Sequence, residues 1–169
     1  MNEMPLERCE CGLEFRPSDA PRPTHSYLGA TAGCWALYNE LIAKQYEGFG
    51  ALAKIRVNDA YCVQHHGVPE RRAIQSVNVH LVALCLQIEK GFDGNQVNAP
   101  MQRVLRFADQ FIWLEPPMPN GTLTIADILP AQTPEAQADA IESYARDIWH
   151  AWQIHRAIVV KWANQALGH

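Results

Sequence analysis

The C-terminal part of the chain carries the pattern that most restricts its fold. Ile141, Ala145, Ile148, Trp152, His155, Val159, Trp162 and Ala166 recur at alternating steps of four and three. That is an a/d seam, and such a seam is buried by laying one helix against others. Its start is marked. Thr133 suits an N-cap, Pro134 the first helical position, and Glu135 the positive end of the helix dipole. A single helix of about 34 residues would be roughly 50 Å long and would span a whole bundle.

Shorter helices are expected over residues 31–46, 51–65, 70–90 and 98–112. The first has Thr31 as its N-cap and carries Cys34, Trp35, Tyr38, Leu41, Ile42 and Gln45 along one side. Gly67 and Pro69 end the second. In the third, Val77 to Ile88 is apolar nearly all round, which marks the central helix, with Gly91 closing it. Pro100 is tolerated in the first turn of the fourth. Period-2 alternation is almost absent, and Thr122 to Thr124 is a short strand at most. Pro5, Pro17, Pro21 and Pro23 mark residues 1–30 as an irregular leader. Pro116, Pro117 and Pro119, followed by Asn120-Gly121, mark a long connection. The expectation is one all-α domain over residues 1–169. It is a bundle of about five helices with a long C-terminal helix and an irregular Cys/Pro-containing N-terminal segment packed on it.

A 169-residue chain with 48% apolar and 19% charged residues forms a single sizeable core without help from disulfides or metal. Its formal charge of −4 argues against nucleic acid or a membrane surface as partner. A small-molecule substrate and self-association into a homo-oligomer stay open. The first ten residues carry Glu3, Glu7 and Glu10 and no apolar stretch, unlike a signal peptide, and no run approaches the ~20 residues of a membrane helix. With five cysteines, an odd number, the expectation is a cytoplasmic protein with reduced thiols, some of them on a metal.

Two sets of residues can carry chemistry. Cys9-Glu10-Cys11-Gly12 resembles a zinc knuckle short of one spacer residue. Cys34, in the first turn of its helix where backbone N–H groups favour thiolate, is a third ligand candidate, and a histidine would be the fourth. The bland alternative is loose thiols at Cys9 and Cys11 and a packed Cys34. Cys62 and Cys85 read as core residues.

The second set is histidines at positions marked as interior: His65, His80 and His155. Converging, they would leave an open metal position for catalysis by zinc, nickel or iron. The alternative is three core histidines, each satisfied by a carbonyl or hydroxyl. His25 is a further candidate ligand, or an imidazole partner for a Cys34 nucleophile. Asp59, one turn before Cys62, would orient a histidine, bind metal, or simply sit on the helix surface. Trp149, Trp152 and Trp162 read as bundle core, with an apolar ligand pocket as the alternative.

Several strings together resemble a family of small uncharacterised bacterial proteins, a domain of unknown function. They are Cys-x-Cys-Gly at 9–12, Pro-Thr-His-Ser-Tyr at 23–27, Gly-Cys-Trp at 33–35, Asn-Asp-Ala-Tyr-Cys-Val-Gln-His-His-Gly at 58–67, Ser-Val-Asn-Val-His-Leu at 76–81 and Trp-His-Ala-Trp-Gln-Ile-His at 149–155. The resemblance covers about residues 9–165. It implies that His25, Cys34, Asp59, Gln64, His65, Ser76, His80 and His155 form one recurring constellation, and it implies no reaction. The chain departs from the family pattern at Arg8, where a first Cys is expected, at Gln45 in place of Glu, and at His66 in place of Pro. A looser similarity, of fold class and histidine count alone, is to DinB-type metal-binding bundles.

Three functions are therefore in view. The first is a zinc-binding protein using candidates among Cys9, Cys11, Cys34, His25, His65 and His80. The second is a metal-dependent hydrolase or thiol-dependent transferase working through Asp59, His65, His80 and His155. The third is a metal-free interaction module. No organic cofactor is implied.

Overall fold

A computed structural model describes residues 4–17 and 23–169. Pro21 of the leader lies outside the described residues. The chain opens with a small antiparallel hairpin, β1 (Glu7–Arg8) and β2 (Glu14–Phe15), with Glu7 opposite Phe15 and Arg8 opposite Glu14. Then come α1 (Ala32–Tyr46), α2 (Val57–Gln64), α3 (Arg71–Ile88) and α4 (Asn98–Val104). The C-terminal helical run comprises α5 (Pro134–Ala151) and α6 (Arg156–Leu167), joined by one tight 3₁₀ turn over Trp152–His155. The fold is an all-α bundle whose five helices are α1 to α4 and this long run.

The end signals act as the sequence suggests. Thr31 accepts from the Cys34 backbone N–H, and Thr133 accepts from that of Ala136. Residues 81–87 of α3 are all buried, so α3 is the central helix. Ile141, Ala145, Ile148, Trp152, Val159, Trp162 and Ala166 are buried along the C-terminal seam, and Trp149 is buried as well. The tryptophan cluster is therefore core. α5 packs on α2 and α3, whereas α6 packs on α3 and α4.

Four local expectations are corrected. The C-terminal helix is not one uniform rod. Trp152 and His155 leave helical dihedrals, and the His155 ring is half-buried there, bonding the Glu115 carbonyl at 2.8 Å. The helix expected over 51–65 begins at Val57, after a 3₁₀ turn at Phe49–Leu52 and an extended step. There the Arg56 backbone N–H donates to Gln87 Oε1 at 2.8 Å, outside any helical ladder. The helix expected over 98–112 stops at Val104 and is followed by a 3₁₀ turn at Ala108–Gln110. Thr122–Thr124 form no strand: Thr124 caps a 3₁₀ turn, and Asp147 takes up the backbone N–H groups of Thr122 and Leu123.

The long connection is fixed to α2 by a buried amide network. Gln64 Nε2 donates to the carbonyls of Asn120 and Leu123 at 3.1 and 2.8 Å. Asn120 Nδ2 donates back to the Gln64 carbonyl at 2.8 Å, and the Tyr144 hydroxyl donates to Gln64 Oε1 at 2.7 Å. Gln64 is thus a structural clamp whose hydrogen-bonding groups are all occupied.

Candidate metal centre

Three segments meet at one point. The hairpin turn supplies Cys9 and Cys11, the first turn of α1 supplies Cys34, and the C-terminal end of α2 supplies His65. One ligand atom from each of the four lies within 4.8 Å of all the others.

The local sequence explains the convergence. Gly12 has φ +91°, a left-handed conformation that a side chain disfavours, and its N–H closes the turn on the Cys9 carbonyl at 2.9 Å. This turn brings Cys11 round beside Cys9 despite the single intervening residue. Gly33 lets the Phe15 ring seat against α1, since a Cβ there would lie 2.5 Å from that ring. Glu10 Oε2 accepts the Gly67 N–H at 3.2 Å, tying the turn to the end of α2.

The sulfurs and the imidazole face one another. Cys11 Sγ lies 3.8 Å from Cys34 Sγ, and Cys34 Sγ lies 3.3 Å from His65 Nε2. His65 Nδ1 is 2.8 Å from the Tyr61 carbonyl, an acceptor, so Nδ1 carries a proton and Nε2 is turned toward the thiols. The sulfurs are themselves supported. The Thr31 N–H donates to Cys9 Sγ at 3.4 Å, and the Tyr61 hydroxyl donates to Cys34 Sγ at 3.5 Å. Cys9, Cys34 and His65 are buried and Cys11 is half-buried.

The electrostatics favour a cation. Hydrogen bonds from Cys11 and then Cys34 hold the Cys9 thiol far below the usual thiol range. The same neighbours, Cys11 and then Cys9, together with burial, push Cys34 far above it. One thiolate therefore forms easily and opposes the next. Burial alone would lower His65, but the Cys11 and Cys9 sulfurs outweigh it and raise the imidazole to about 10, so without a cation Nε2 also holds a proton, which a metal ion would displace to gain the lone pair. A divalent ion would relieve this repulsion and hold the thiols ionised.

The donor set fits zinc. Tetrahedral zinc with Zn–S of ~2.3 Å and Zn–N of ~2.0–2.1 Å places its sulfurs about 3.8 Å apart and its sulfur and nitrogen about 3.5 Å apart. Three thiolates and one imidazole make a closed shell.

The other histidines lie elsewhere. His25 packs edge-on against Tyr27 and Trp35, with ring centroids 4.3 and 5.1 Å away, and burial lowers its imidazole. His80 bonds Asp59, and His155 bonds the Glu115 carbonyl. Among the described residues the metal-binding geometry gathers His65 with three cysteines and leaves out His25, His80 and His155. The open three-histidine shell is not assembled there.

Asp59 is not a surface carboxylate. It is fully buried and accepts from His80 Nδ1 at 2.7 Å, Arg56 Nε at 2.9 Å and Gln87 Nε2 at 2.8 Å. Burial would raise its pKa, but His80, Arg56 and Gln87 together hold it below the ordinary carboxylate value. The sequence reading missed Tyr61, which serves the centre twice, through its carbonyl and its hydroxyl. Its position four residues before His65 on a helix was the available signal. Nothing local pointed to Gln87.

A family model described as a family of unknown function, DUF5946, matches residues 7–153, from β1 into the tight turn after α5. The chain belongs to that family. All four residues of the thiol–imidazole cluster, and Asp59 and His80 too, fall inside the matched region. DUF5946 as a name assigns no reaction to them. No curated protein and no solved structure matches the chain. Among the described residues, no helix is long and apolar enough to cross a membrane.

Proposed function

We propose that this DUF5946 protein binds one zinc ion at Cys9, Cys11, Cys34 and His65, and that the ion is structural. The observation that carries this reading is the convergence within 4.8 Å of three sulfurs and an imidazole whose Nδ1 is anchored on the Tyr61 carbonyl, which turns Nε2 toward them. With four protein ligands the shell is closed, leaving no position for substrate or metal-bound water. The role that follows is mechanical. The hairpin has two-residue strands and cannot be stable alone, and zinc would join it to α1 and α2 across the top of the bundle.

The test is metal content per chain in protein purified without chelator, with zinc release followed during titration by an organomercurial. One zinc per chain, released as three thiols are consumed, is the expected result. Zinc absent from the wild-type protein, or fully retained in Cys34→Ser, would overturn the reading. The metal-dependent hydrolase with an open histidine site draws no support from this geometry, because His80 and His155 are engaged with Asp59 and Glu115.

A further inference from the structure

The central helix α3 carries a polar stripe along its N-terminal half. Arg72, Ser76 and His80 recur at steps of four, so they lie one above another on a single face, with Gln75 and Val79 beside them. Arg72 is exposed and the other four are half-buried. Together with Tyr27, from the segment before α1, they line an open cleft of about 420 Å³. Residues 81–87 of the same helix are sealed in the core, so the cleft lies where the central helix comes to the surface.

The stripe is fixed from behind and is cationic. His80 Nδ1 donates to the Asp59 carboxylate at 2.7 Å, and that carboxylate is completely buried, with Arg56 and Gln87 on its other oxygen. The ring is thereby held in one orientation while 22% of the side chain stays exposed. Burial alone would lower the imidazole pKa, but Cys62 and the Asp59 carboxylate outweigh it and raise it to about 10, so the ring is an imidazolium at neutral pH. Asp59 then has two cationic partners, Arg56 and His80, and one positive charge is left over beside the cleft. Arg72 supplies a second. Arg56, Arg146 and Arg156 are ion-paired with Asp59, Glu142 and Glu89, whereas Arg72 has no such partner among the described residues. No lining residue is acidic, in a chain whose formal charge is −4. Ser76 and Gln75 bring neutral donors between the two cations.

We propose that this cleft binds a dianionic phosphate group, with Arg72 and His80 as its counter-charges and Ser76 and Gln75 as neutral hydrogen-bond donors. Two cations match a dianion, and the planar fork of Arg72 suits two phosphate oxygens at once. Four donor side chains also serve the three free oxygens of a phosphate group better than the two of a carboxylate. Tyr27 and Val79 leave an apolar wall for the body that carries the phosphate, and a cleft of this volume is of the size that takes small ligands. The occupant is therefore a small phosphomonoester with an apolar or aromatic body. Asp59, being fully buried, touches no ligand and acts through His80 as a positioning residue.

The test uses the full chain as purified, at fixed ionic strength because salt screens an exposed site. Calorimetric titration with phenyl phosphate should saturate at one ligand per chain, and benzoate should bind about tenfold more weakly or worse. Inorganic phosphate is the second arm. Affinity equal to that of phenyl phosphate supports the phosphate site and assigns it to the free ion, whereas tighter phenyl phosphate supports it and assigns it to a phosphomonoester. Arg72→Gln should weaken binding by about tenfold or more, and Arg72→Glu should abolish it, while Arg146→Gln on α5 changes nothing. Arg72 is exposed, so these variants should fold. In the unaltered protein, the NMR signals of Arg72, Ser76 and the His80 ring should move along one titration curve. No saturable binding of either phosphate, equal affinity for benzoate, unchanged binding in Arg72→Glu, or shifts that spare α3 would overturn the proposal.

Discussion

Two clusters share one short helix and are built on opposite logic. At the C-terminal end of α2, His65 joins three cysteines whose donor atoms all aim at one point. Nearer its N-terminus, the buried Asp59 carboxylate accepts from His80, Arg56 and Gln87. The first arrangement concentrates negative charge and is relieved by a cation. The second neutralises its buried carboxylate with Arg56 before the imidazole is reached. Each contains a histidine, His65 in the first and His80 in the second. What differs is whether lone pairs converge or are met by donors, and that difference separates a candidate metal shell from a buried hydrogen-bonded carboxylate.

The comparison can be broken hardest at the first cluster. Cys34→Ser removes the central, fully buried thiol and should abolish zinc binding. With the metal gone, stability should fall by about 4 kcal/mol, or roughly 10 °C in melting temperature for a chain of this size. Calorimetry with hydrogen exchange checks this: residues 7–15 and the start of α1 should lose protection while α3 keeps it. Equal loss of protection throughout would mean that the hairpin is integral to the core.

Asp59→Ala strikes the second cluster and should leave zinc in place. It strands the buried ends of Arg56, Gln87 and His80, at a cost of about 3 kcal/mol. The pH dependence has a definite sign. The folded pKa of Asp59 lies below its unfolded value of about 3.9, so its contribution is fully present above pH ~4 and is lost as pH falls through the folded pKa. Acid unfolding curves of wild type and Asp59→Ala should therefore diverge above pH ~4 and approach one another below it. A constant gap down to pH 2 would show that packing, not charge, makes the difference.

The smallest change gives a baseline for both. Thr133→Ala removes the cap of α5, whose hydroxyl accepts the Ala136 N–H at 3.1 Å, far along the chain from either cluster. It should cost about 1 kcal/mol and leave zinc content unchanged. A change in zinc content would mean that the centre responds to general loosening of the bundle.

The caps at Thr31 and Thr133, the central place of α3, and the buried seam of the last helical run were all legible from residue type and spacing. They depend on contacts within a few residues or on a single apolar period. Cys9, Cys11 and Cys34 were legible as candidate ligands because thiols near a turn glycine and a helix start are local features. Which histidine completes them was not. His25, His65 and His80 are equivalent by composition, and only the docking of the hairpin onto the ends of α1 and α2 selects His65. Asp59 looked like a surface carboxylate because its partners come from a distant position on the central helix: His80 and Gln87 lie 21 and 28 residues away. The tight turn at Trp152–His155 escaped a heptad pattern that runs straight through it, because beyond their shared neighbour α3, α5 packs on α2 and α6 on α4. The sequence by itself determined the helices and the supply of thiols and imidazoles, since both follow from short-range pattern. The tertiary structure alone decided which of these groups converge and which form a chain, because that depends on where helices distant in sequence bring their side chains together.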